Sequence, residues 1–186
     1  MLVRAAALIA VVLLPATAGA TTVVAKDLGQ LCAEADVIFV GTVTDVHSQW
    51  VDPDRRAIET VVTFADLVTV VGSPGDPLRL RFSGGVVDDI REEVAGVPRF
   101  TVGERVLLFA RLERSLSPIV GLNQGLFLVA DSPRGPVLLD ANGRPVVGVR
   151  NGVVEVGPAG AETESAVPLP TFLESVRREI AARPRE

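Results

Sequence analysis

Apolar and polar positions divide this chain into a short leader, a long series of strand-like segments and a terminal helix. Leu28, Leu31, Cys32 and Ala35 recur at i, i+3, i+4 and i+7, one face of a short helix. Asp27 and Gln30 supply its capping box, and Asp36 ends it. The apolar run 37–40 opens a strand reaching about residue 49, in which Gly41 predicts a bulge or bend. Asp and Pro make 51–56 a turn. A long strand is expected over 58–71, with Ile58, Thr60, Val62 and Phe64 on one face and Val61, Thr63, Ala65 and Leu67 on the other. Both faces are largely apolar or β-branched, which suits a strand curling through a barrel better than a flat solvated edge.

Residues 72–76 break the chain, and Leu78, Leu80 and Phe82 then alternate with Arg79 and Arg81 as a half-buried strand. Gly84-Gly85 opens an acidic segment, 88–93, whose pattern selects neither helix nor loop. Strands are expected at 105–111, 119–122 and 126–130. Asn142-Gly143 and Asn151-Gly152 are hairpin signals, because both central residues of that turn need positive φ. Their flanking strands fall at 137–139, 145–149 and 153–156. A small-residue linker, 157–168, leads to a helix with Thr171 and Glu174 as capping box and Phe172, Leu173, Val176 and Ile180 as its stripe. The class is mostly β, either a barrel or a two-sheet sandwich.

The leader changes the picture of where the domain works. Arg4, the ten apolar residues 5–14, Pro15 and the small-x-small site Ala18-Gly19-Ala20 have the three-part order of a secretory signal. At about 1.5 Å per residue the apolar run covers roughly half of a ~30 Å hydrocarbon core, too little for an anchor. The expected organisation is a signal peptide over 1–20, a β domain over 21–157, and a linker with C-terminal helix over 158–186. The location is periplasmic or secreted, with no membrane span after cleavage.

Charge and chemistry then exclude function classes. The chain has a net charge of −5 and no basic cluster, which argues against nucleic-acid binding. Cys32 is the only cysteine, so no internal disulfide forms. His47 is the only histidine, and no Gly-x-Ser-x-Gly elbow accompanies it, so a polar residue on the outer face of a strand is the simpler reading. One His and one Cys on separate elements do not supply a zinc site. Asp52 with Asp54, Asp88 with Asp89, and Asp140 with Asn142 lack the remaining ligands of a calcium loop and read as turn or surface chemistry. Glu92 and Glu93 are adjacent and point apart, which does not make an acid–base pair. Trp50, the only tryptophan, is either an interface anchor or a core residue at a strand end.

The segment 32–43, a short helix with Cys32 followed by Ala35-Asp36-Val37 and a strand, resembles the opening of the netrin-like domain of tissue inhibitors of metalloproteinases, a layout shared by exported bacterial proteins. The strands 58–71 and 78–82 and the entry Val102-Gly103-Glu104 into 105–109 extend the resemblance. It implies a five-stranded OB-like barrel, here with additional C-terminal β-hairpins and a terminal helix; a β-sandwich is the alternative. The inhibitors' chelating N-terminal cysteine has no counterpart, because the expected mature terminus is Thr21. The expected function is a non-enzymatic protein-binding module without cofactor, with Trp50 and His47 as candidate interaction residues. Two alternatives stand beside it: a protease inhibitor or protease-associated protein, and a hydrolase using His47.

Overall fold

The computed structural model describes residues 24–54, 56–113 and 115–183; the expected signal peptide lies outside them. Helix α1 (Leu28–Glu34) forms where the stripe predicts it, with Asp27 and Gln30 closing a capping box at its start. Strands β1 (Val37–Trp50), β2 (Ile58–Val71), β3 (Leu78–Ser83), β6 (Arg105–Ala110), β7 (Leu126–Ala130) and β8 (Val137–Asp140) make one antiparallel sheet in the order β3-β2-β1-β6-β7-β8. Two two-stranded ribbons flank it: β4 (Gly85–Val87) with β5 (Ile90–Glu92), and β9 (Val146–Arg150) with β10 (Val153–Val156). Helix α2 (Leu169–Ala181) closes the chain.

The long strands bend because their ladders slip. The β1–β2 register shifts three times, between Ile38 and Phe39, Val40 and Thr42, and Val43 and Asp45, and Gly41 sits within the second shift. Each extra residue kinks its strand and sharpens its twist. The sheet curls over an inner core in which Phe39, Phe64 and Phe82 are buried. Phe100, from the segment after β5, packs edge-on to Phe64 at 5.6 Å and tilts against Phe82 at 5.0 Å. Alternate residues of the same strands feed an outer core with α1 and α2, where Phe109, Phe127 and Phe172 stack in series at 6.0 and 5.2 Å.

Several expectations are corrected. The sheet has six strands where five were expected, and among the described residues no ladder joins β3 to β8, so no closed barrel is detected. Helices, ribbons and loops pack on both its faces without covering them throughout, and among the described residues no second large sheet faces it. The acidic segment 88–93 is largely the second strand of a ribbon, with Asp88 (φ 52°) and Asp89 at its turn. Residues 119–122 are not a strand: Ile119 makes a single bridge to Ala110 before the chain turns at Gly121 and Leu122. Asn151-Gly152 (φ 51° and 79°) joins β9 to β10 as predicted, whereas Asn142 keeps negative φ and the β8–β9 turn is organised by Asp140. Helix α2 begins at Leu169, ahead of Thr171, because Pro170 in its first turn presets the helical φ.

Candidate functional site

The two ends of the sheet are finished differently. At the β8 edge, Leu138 N–H donates to Val167 O (3.2 Å) and Leu169 N–H to Pro136 O (2.9 Å), so the segment leading into α2 covers the strand. At the other end, β1, β2 and β3 pass beyond the helices and hold a cleft of about 390 Å³ between their inner face and residues 83–100. Its floor is Val46, Val62, Phe82 and Phe100, and its rim carries Arg91, Glu93 and Arg99.

A chain of hydroxyls fixes one wall. Val86 N–H donates to Ser48 Oγ (3.2 Å), Ser48 Oγ lies 3.0 Å from Thr60 Oγ1, and Thr60 donates to Gly84 O (2.7 Å). With Thr60 donating to a carbonyl and Ser48 accepting from an amide, the Ser48 proton is directed to Thr60, and each bond polarises the next. Gly85 (φ 146°) lies so close that a Cβ there would collide with Ser48 Oγ and Thr60 Oγ1. Glu92 accepts from Ile58 N–H (2.8 Å), which pins the far strand of the ribbon to β2. On the rim, hydrogen bonds from Arg91 and Arg99 hold the Glu93 carboxyl below its ordinary range.

The residues singled out from sequence do not meet here. Neighbours on a strand face opposite ways, so Ser48 lines the cleft while His47 lies on the outer face. His47 is half exposed, with Nδ1 2.7 Å from Asp45 Oδ2. That supplies a base and its orienting carboxylate, but the adjacent serine is on the other side of the sheet and its hydroxyl is engaged. Trp50 ends β1 opposite Ile58 and is partly buried. Glu59, behind it on the outer face, is buried and accepts from Gln49 Nε2 (2.8 Å) and from Arg81.

The acidic pairs resolve into local structure. Asp54 pairs with Arg56 (3.1 Å), and Asp140 takes amides of Asn142 and Arg144 and a two-pronged bond from the Arg144 guanidinium (2.9 and 2.7 Å). Among the described residues no group of three or more His, Cys, Asp or Glu side chains is placed to hold a metal. Cys32 is buried under α2, and desolvation pushes its thiol up to about 11. No described helix is long and apolar enough to cross a membrane.

Phe100 and Gly85 carried no sequence signal as site residues. Phe100 lies in a loop stretch with no strand or helix periodicity, and the glycine pair marks a turn without revealing what the ribbon lies against. Comparisons with protein-family models, with curated proteins and with solved structures found no match.

Proposed function

We propose that this chain is an exported, non-enzymatic protein-binding module whose binding surface is the cleft end of the sheet. The observation that carries the reading is the cleft itself: an apolar floor ringed by charged side chains, with Val86 at its lip 47% exposed. An apolar centre with a polar rim is the anatomy of a protein interface. We read the curled sheet as a relative of the partly open OB-type barrel. Its support is the meander β1–β2–β3 followed by β6 returning to pair with β1. Export rests on the leader 1–20.

The test is capture of partners by the immobilised mature chain, residues 21–186, from periplasmic and secreted proteins of its own source, read by mass spectrometry. The reading predicts reproducible enrichment of a protein that is lost when Val86→Glu places a charge in the cleft lip. An enriched protease favours the inhibitor reading and is followed by inhibition kinetics. Capture that is indifferent to Val86→Glu contradicts the site, and no capture contradicts the module.

A further inference from the structure

We propose that the edge of β3 takes an extended, acidic segment of a partner protein as an additional strand; this rests on the protein-binding reading and names the chemistry of the partner. Among the described residues, β3 is bonded on one side by β2, and its other side carries a single backbone bond, Ser83 N–H to Leu116 O (2.9 Å). That bond fixes the sense of the edge. Ser83 points its amide away from β2, and in a strand every second residue does the same, so Arg81 and Arg79 also present N–H and C=O to the edge. The opposite edge, β8, is already covered by 167–169. The sheet is therefore extendable at one end only.

The side chains at those two positions choose the occupant. Arg79 and Arg81 are both exposed on the outer face of the edge strand. Arg79 has no ion-pair partner among the described residues, and Arg81 gives Glu59 one Nη1 hydrogen bond of the five its guanidinium can make. A second copy of this chain is a poor occupant. Antiparallel pairing centred on Leu80 sets Arg79 opposite Arg81 twice, and like charges facing across strands repel. A segment with acidic residues at alternate positions places a carboxylate opposite each arginine while its backbone completes the ladder. This is strand addition, with affinity from main-chain bonds and selectivity from alternate side chains.

The experiment follows the backbone amides of Arg79 and Arg81 by hydrogen exchange in NMR as an eight-residue Glu-Val alternating peptide is added to the purified protein. The same titration is run with a Lys-Val peptide and with Arg79→Glu. The proposal predicts slowed exchange at Arg79 and Arg81, an affinity about tenfold higher for the Glu-Val peptide than for the Lys-Val one, and that preference lost in Arg79→Glu. Unchanged exchange with millimolar Glu-Val peptide overturns it, as does an equal response to both peptides. Slowed amides accompanied by self-association in sedimentation assign the edge to a second copy and also overturn it. Because Val86 lies on the ribbon and not on β3, failure here with capture still sensitive to Val86→Glu rejects the edge alone.

Discussion

Strand β1 passes through two environments, and the contrast between its halves organises the molecule. From Val37 to Gly41 every residue is buried, one set of side chains against the inner phenylalanines and the other against α1, α2 and the outer core. From Asp45 onward the outer set, Asp45 and His47, meets solvent, and only the inner set still faces apolar neighbours. The first half is framework, and the second is a platform whose outer face is left to solvent while the ribbon and residues 83–100 lie along its inner face. The platform is held up by local polar devices, the Ser48–Thr60 hydroxyl chain and the Glu92–Ile58 pin, in place of a second apolar layer.

The largest effects are expected in the framework half. Phe39→Ala removes a side chain from the inner core and Phe109→Ala one from the outer core, and each should cost about 3–5 kcal/mol in urea unfolding. Near-equal losses show that both faces are core at this end; a small loss for Phe109→Ala would break the comparison by making the helices mere decoration.

Asp140→Asn comes next, at about 1–2 kcal/mol near neutral pH. Burial pushes the Asp140 carboxyl up, but the amides of Arg144 and Asn142 and the Arg144 guanidinium outweigh it, and its pKa is lowered. A carboxyl whose folded pKa is depressed contributes stability above its unfolded pKa of about 4 and loses it as pH falls through the lower folded value. The difference between Asp140→Asn and the parent should therefore shrink below about pH 4, measured as urea midpoints against pH.

A smaller, local effect sharpens the platform side. Gly85→Ala puts a Cβ against Ser48 and Thr60 at φ 146° and should cost about 1–2 kcal/mol. The loss is expected as faster amide exchange in β4 and β5, with β6 and β7 unchanged. At the bottom of the scale, His47→Ala should stay within about 0.5 kcal/mol of the parent, since its contact with Asp45 is half exposed.

Much of the framework is written in local pattern. The stripe of α1, its capping box and the span of β2 follow from spacing alone, and the unbroken apolar run 37–40 marks where β1 begins. What pattern does not carry is pairing. Whether the ladder closes depends on contacts between distant segments, such as Phe100 packing on Phe64 and Phe82 inside the curl of the sheet. The ribbon β4–β5 was illegible for a similar reason: its three-residue strands are too short for a period, and they are held by side chains of β1 and β2. For the candidate site, His47 and Trp50 stand out in sequence as the only residues of their types, yet the cleft is built from ordinary valines, hydroxyls and glycines. Residue rarity is a property of composition, whereas a cleft is a property of which faces are left uncovered.

The most direct test of the uncovered end as the binding surface is one quantitative capture experiment comparing Val86→Glu with Val147→Glu. Both valines are exposed to similar degrees, 47% and 43%, but Val147 lies on β9 at the covered end. The account predicts that Val86→Glu loses the captured partner while Val147→Glu retains it. Retention by both, or loss in Val147→Glu alone, would contradict it.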